Sequence, residues 1–442
     1  MCKYLLFLFI LCGVFIQQNS AQILQRKIWF GAIIHEQHNE LVVDSIIRGS
    51  SADVMKLKKN DILLSVNGVK VDRMALLNQL LQPIRANDSW QLSYKRNKKI
   101  THCKNKAIGQ PLFEASWCNT NYSSLKTTEC EVRTILYLPK HKLNPPVILF
   151  IPGYNCSSIE SFSGNFNGQL ISYWVSHGYA VYTVEKSGLG DSYACKPCQE
   201  VDLHADIEVY ETALNALSQH KLIDPSRIYI WGHSMGGIIA PMIAQHKSIK
   251  GIMVFGTVFR PWSEFLLEMH RVQKPLLDSL SFTETEDFVR LIQQVYYEFF
   301  VLKKSPEVLY KNPLYKKVVE EELEYSEGKE DMWGRHWRFW QQLDSINLAK
   351  AWQEINCPVL VLQGSSDFIQ CSAVEPYLIA EAVNQAHPNQ ATLFTLPQID
   401  HLMMNSISFK EAVVHTKNKE YLDGNFNPII AETTLEWLNK NL

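Results

Sequence analysis

The stretch from Arg227 to Ala240 constrains this chain more than any other. Ile228 to Trp231 reads as a buried strand, Gly232-His233-Ser234-Met235-Gly236 as a forced turn, and the apolar run after it as a helix. Glycines on both sides of Ser234 let strand and helix approach without side-chain clashes, and the strained turn projects the hydroxyl outward. The first helical amides point at charge developing on a bound carbonyl, so one element presents a nucleophile and part of an oxyanion hole. Asp224-Pro225-Ser226 marks the loop that feeds the strand. Ser234 is therefore the candidate nucleophile, against the plainer reading of a glycine-rich turn without chemistry.

The 442 residues, 46% of them hydrophobic, are enough for a large core and for two or three domains. A net charge of -2 argues against a nucleic-acid binder, which needs a basic excess. Residues 1–21 have the layout of a secretory signal peptide: Lys3, an apolar run from Leu5 to Ile16, then a polar stretch. That run is too short to span a bilayer, and no other stretch is apolar enough to be an integral membrane segment. Cys12 sits inside the run behind Phe9-Ile10-Leu11, not behind small residues, which argues against a lipoprotein. The mature chain is expected to be soluble and secreted or periplasmic. In that oxidising setting the cysteines at 103, 118, 130, 156, 195, 198, 357 and 371 are expected to form disulfides, and their spacing leaves the pairing open. For Cys195-Lys196-Pro197-Cys198 a structural bridge is favoured over a redox or zinc motif, because no second pair of ligands accompanies it.

Residues 24–100 form a small β-rich unit of short alternating strands, with its own basic residues such as Lys58, Lys59, Arg96 and Lys98. From Leu41 to Ala52 and from Leu57 to Gly68 the run resembles a PDZ domain of the bacterial type. Asn60 stands where that family usually has glycine, and asparagine tolerates the left-handed backbone such a turn needs; Lys56 replaces another common glycine. The resemblance implies that Phe30, Gly31 and Ala32 belong to a loop whose N–H groups receive a peptide C-terminus beside an open strand edge. The alternative is a spacer that only packs on its neighbour.

From residue 105 to 442 strand, loop and helix alternate, the pattern of a mostly parallel sheet with helices on both faces. The apolar runs Pro146–Ile151, Ala180–Val184, Ile228–Trp231, Gly251–Phe255, Val359–Leu362 and Thr392–Leu396 read as its fully covered strands. Residues 259–356 interrupt the pattern with helical periodicity and no strand signal, an insertion. A serine nucleophile needs a base and a carboxylate to orient that base, and open sheets carry such groups on loops after strands. Asp367 and His401 stand on the loops after the last two strands, in the chain order Ser, Asp, His. His415 is the reserve base and Asp400 the rival carboxylate, while His233 is expected to pack in the turn.

These motifs resemble the α/β-hydrolase superfamily, in its serine aminopeptidase-like and esterase or lipase-like branches, over roughly residues 110–442. The resemblance implies backbone N–H donors from Met235 and from Tyr154, which follows Gly153 after the first apolar strand. It makes the insertion a helical cap, and Glu185 to Ser192 a structural loop shaping the pocket floor. The cap's aromatics, Trp262, Phe265, Tyr296, Tyr297, Phe299, Phe300, Trp333, Trp337, Phe339 and Trp340, either line a pocket or hold the cap together. Glu320, Glu321, Glu322 and Glu324 would suit a free amine, the one hint of peptide substrates. The expectation is an exported serine hydrolase of carboxylic esters acting through an acyl-enzyme, with no cofactor or metal. A peptidase whose PDZ-like unit gathers peptide C-termini, and a non-catalytic binding protein, are the alternatives.

Overall fold

The computed structural model describes residues 24–442 apart from Ser163, Tyr193 and Ala194, so the expected signal peptide at 1–21 lies outside the described residues. The small unit is an antiparallel sheet of β1 (Ala32–Gln37), β2 (Glu40–Ile46), β3 (Ile62–Val66), β4 (Val69–Lys70), β5 (Ser89–Arg96) and β6 (Lys99–Lys106), ordered β1-β2-β3-β5-β6 with β4 on β3. Period-two alternation drives it: Trp90, Leu92 and Tyr94 of β5 point into one core with Leu41, Val43, Leu63 and Leu77. Three hairpins turn through paired left-handed residues, His38-Asn39, Asn67-Gly68 and Asn97-Lys98, the geometry that matches strand twist. Asn60 has φ 69° as expected, and Lys56 accepts the same conformation at φ 60°.

The second sheet is built from β7 (Cys118–Lys126), β8 (Glu131–Pro139), β9 (Val147–Ile151), β10 (Ala180–Val184), β11 (Ile228–His233) and β12 (Gly251–Phe255). After the cap, which holds a short hairpin of β13 (Asp331–Met332) and β14 (Arg335–His336), come β15 (Val359–Gly364) and β16 (Ala391–Leu396). The strand order is β16-β15-β12-β11-β9-β10-β8-β7, parallel from β10 to β16, with β8 and β7 antiparallel. Alternate residues of the central strands feed two cores. Leu149, Ile230 and Val254 meet the helices Leu203–Leu217 and Met235–Ala244. Phe150, Trp231 and Phe255 meet the helices Phe166–Ser176 and Ile429–Lys440.

Two expectations are corrected. β16 is an edge strand with Phe394 46% exposed, so it is not covered on both faces. The cap is helical but not strandless, because the turn at Trp333-Gly334, both at positive φ, closes the β13–β14 pair.

The two units are docked on each other. Asp191 receives Arg26 Nη1 (2.6 Å), Arg133 Nε (2.8 Å) and the Lys27 amide (2.7 Å), and Gln82 Nε2 donates to Gly188 O (2.7 Å). Disulfides join Cys130 to Cys195 and Cys156 to Cys198, so each cysteine of the Cys-x-x-Cys motif bridges a distant partner. Cys103, Cys118, Cys357 and Cys371 are free thiols. Among the described residues no helix is long and apolar enough to cross a membrane.

Candidate active site

Ser234 sits between β11 and its helix at φ 54°, ψ -121°, a conformation that costs a non-glycine residue of order 1–3 kcal/mol. Neighbouring backbone holds it there: the Ser234 amide donates to Phe255 O (2.9 Å). A Cβ on Gly236 would stand 2.1 Å from Ile151 O, and one on Gly232 would stand 2.5 Å from Gly236 O, which is why both flanks must be glycine.

Asp367, just past β15, and His401, just past β16, meet with Nδ1 to Oδ2 at 2.8 Å, both buried. Asp367 Oδ1 also accepts from the amides of Ile369 (3.0 Å) and Gln370 (2.8 Å), so the carboxylate is fixed before the imidazole reaches it. An acceptor at Nδ1 makes that nitrogen the donor and leaves Nε2 with its lone pair. Ser234 and His401 line one cavity of about 810 Å³ together with Tyr154 and Met235. No hydrogen bond joins the Ser234 hydroxyl to His401 among the described residues. Such contacts commonly tighten only around substrate.

Sequence reasoning passed over Gly256, which follows β12 at φ 62°. A Cβ there would lie 2.9 Å from His401 Nδ1 and 3.0 Å from Asp367 Oδ2, so the pair occupies the space a side chain would take. A glycine directly after an apolar strand was the available signal. His233 packs in the turn as expected, its ring 4.9 Å from that of His401. Burial pulls its pKa down to about 3, so it is neutral and donates Nε2–H to His401 O (2.9 Å). Asp400 does not compete for the imidazole: its carboxylate accepts from the amides of Leu402 and Met404 (2.9 Å each) and from Ser406 Oγ (3.1 Å), shaping the loop. His415 bonds Ser406 Oγ (2.9 Å), stacks on Tyr421 and does not line the cavity.

Both amides expected to face an oxyanion donate to no described residue. Met235 N–H opens its helix and Tyr154 N–H meets no described partner, while a Cβ on Gly153 would lie 3.9 Å from Ser234 Oγ. Of the cap aromatics, Trp262, Phe265, Tyr296, Trp333 and Trp340 line the cavity, whereas Phe299, Phe300 and Phe339 are buried in the cap. The wall is a continuous stack: Trp262 on Trp340 at 5.5 Å, with Tyr154 edge-on to Trp340 at 5.2 Å. The outer end is charged, with Lys274, Lys317, Glu321 and Glu322, and Lys274 pairs with Glu322 at 2.5 Å. Residues 185–192 do not line the cavity, so that loop is not the pocket floor; it is where the two units meet.

In the small unit, the amides of Phe30 and Gly31 donate to no described residue, and Gly31 has φ 67°. Ala32 begins the edge strand β1, and the Met74 amide at the start of the helix Met74–Leu81 donates to the Glu36 side chain of β1.

A family model described as serine aminopeptidase, S33, matches residues 147–407, and a PDZ domain model matches residues 16–88. No curated protein matches the chain significantly. Among solved structures, the α/β-hydrolase GrgF from Penicillium sp. sh18 is 14% identical, covering 73% of this chain and 99% of its own at a TM-score of 0.45. Est1E from Butyrivibrio proteoclasticus is 14% identical over 72% of this chain and 99% of its own, at a TM-score of 0.41. A thermostable carboxyl esterase from Bacillus coagulans, in complex with glycerol, is 12% identical over 73% of this chain and 98% of its own, at a TM-score of 0.44.

Proposed function

The chain belongs to the serine aminopeptidase S33 family of α/β-hydrolases and carries a PDZ domain, and on that premise we propose that it is an exported serine hydrolase of carboxylic esters. Ser234 Oγ attacks the ester carbonyl while His401 Nε2 takes its proton. Asp367 holds the imidazole in the Nδ1–H tautomer and balances its charge. The Tyr154 and Met235 amides receive the oxyanion. His401 then protonates the departing alkoxide, and water releases the acid from the acyl-enzyme by the same steps. The reading rests on one observation above all, the 2.8 Å His401–Asp367 contact beside a strained serine on the same cavity. The two disulfides support export.

The stack of tryptophans next to Ser234 favours an apolar or aromatic acyl group over a free amine, and Glu322 is already matched by Lys274. A peptidase is the second reading, favoured by Glu321 at the cavity and by the open amides of Phe30 and Gly31 in a PDZ domain, which suits capture of a peptide C-terminus. Purified mature protein and Ser234→Ala should be compared on acyl esters of several lengths, aromatic esters and aminoacyl amides. Wild type is expected to cleave esters and the variant none. Aminoacyl amides cleaved in preference to every ester would favour the peptidase, and equal turnover by both proteins would move the nucleophile elsewhere.

A further inference from the structure

The segment that carries Tyr154 leaves β9 without regular hydrogen bonding, yet its three successive carbonyls all accept from buried basic side chains. Lys186 Nζ donates to Gly153 O and to Asn155 O (3.0 Å), and Arg335 Nη1 donates to Tyr154 O (3.0 Å). Lys186 stands just past β10 and is 4% exposed; Arg335 comes from β14 of the cap and is fully buried. Arg335 is itself held by Asp206 of the helix Leu203–Leu217 (Nη2 to Oδ2, 2.7 Å) and lies over the Phe339 ring at 4.3 Å. The Cys156–Cys198 disulfide fixes the far end of the segment.

Burying a lysine and an arginine is expensive, as burial pulling the Lys186 amine down to about 7 shows, and apolar side chains of the same volume commonly make a core at least as stable. What these two supply is direction. In a trans peptide the C=O and the following N–H point opposite ways, and the chain has no cis peptide bond among its described residues. Drawing Gly153 O onto Lys186 therefore turns the Tyr154 N–H away from Lys186, which does not itself line the cavity that Tyr154 and Ser234 share.

Resting on the ester-hydrolase reading above, we propose that Lys186 and Arg335 are positioning residues: Lys186 aims the Tyr154 amide at the oxyanion, and Arg335 makes the docked cap part of the same device. Neither residue touches substrate. The interaction they serve is realised in the transition state, so their loss falls on kcat and not on KM.

The test is Lys186→Met and Arg335→Met in the full mature chain, on an ester that wild type cleaves. The readouts are kcat, KM, and the inhibition constant of an alkyl boronic acid that mimics the tetrahedral intermediate. Loss of one oxyanion donor costs a hundred- to a thousand-fold, so misaiming one is expected to lower kcat roughly ten- to a hundred-fold. KM should stay within about threefold, and boronic-acid affinity should fall by the same factor as kcat. A merely structural role would lower the melting temperature without that matched loss. If Lys186→Met does not fold, Arg335→Lys decides on the same readouts, since it keeps the charge but cannot reach Tyr154 O and Asp206 together. Folded variants with wild-type kcat and boronic-acid affinity overturn the proposal. A wild type that cleaves no ester instead overturns the hydrolase reading and leaves the two failures distinct.

Discussion

The two amides proposed to receive the oxyanion are held in opposite ways. Met235 N–H is set by its immediate neighbours: a strand end, two glycines and the first turn of a helix fix it within a few residues. Tyr154 N–H sits on a segment with no regular structure whose carbonyls are held by Lys186 and Arg335, the second of them about 180 residues away in sequence. A locally encoded site can be read as a motif. A remotely held one is invisible until the chain is folded, and it makes Arg335 of the cap and the loop after β10 answerable for the geometry of a cavity they do not line.

That contrast can be broken by substitution, beginning on the local side. Ser234→Ala should lower turnover by about 10⁴-fold or more, as nucleophile removal does in serine hydrolases, with the fold intact by circular dichroism. Asp367→Asn should lower kcat by about 10³- to 10⁴-fold in steady-state assays, because the imidazole loses its fixed tautomer while the hydrogen-bonded shape survives. Gly256→Ala sharpens the comparison from a residue that carries no chemistry. Its Cβ would intrude on the His401–Asp367 pair at 2.9–3.0 Å, and a displacement of this size is expected to cost about a hundred-fold in kcat. Chemical denaturation should show a further loss of about 1–2 kcal/mol for left-handed backbone on a residue with a Cβ. Turnover by Gly256→Ala equal to wild type would mean that the pair has room to move.

The smallest expected effect lies on the remote side, beside Lys186. Glu185 is fully buried, and burial raises its carboxyl to about 8, against its hydrogen bonds to Ser158 and the Ile159 amide and together with the nearby Glu160 and Asp191. The folded state therefore holds a proton there that the unfolded chain releases near pH 4.5. Between those two values Glu185 makes stability fall as pH rises. Glu185→Gln should flatten that slope in urea titrations from pH 5 to 8, and an unchanged slope would mean the carboxyl is ionised in the fold.

Much of this was legible because it is local. The central strands are apolar runs, Gly-x-Ser-x-Gly is contiguous, and Asp367 and His401 announce themselves by following strands. The rest depended on packing. β7, an edge strand rich in Asn, Thr and Ser, buries only Cys118 and Leu125, and β8 carries the polar pair Arg133-Thr134 inside an otherwise apolar run, so neither reads as a covered strand. Asp400 is adjacent in sequence to His401 but is spent on the turn that carries it. The disulfide partners are set by how the loop after β10 folds back on β8 and on the Tyr154 segment. Lys186 and Arg335 look like surface cations in the sequence, and the fold buries both.

The central claim is that Ser234 is a nucleophile activated by His401. Mass-spectrometric mapping of the mature protein after a fluorophosphonate probe tests it most directly. The account predicts a single adduct on Ser234, absent from Ser234→Ala and formed far more slowly in His401→Ala. An adduct on another residue, or equal labelling of wild type and His401→Ala, would contradict it.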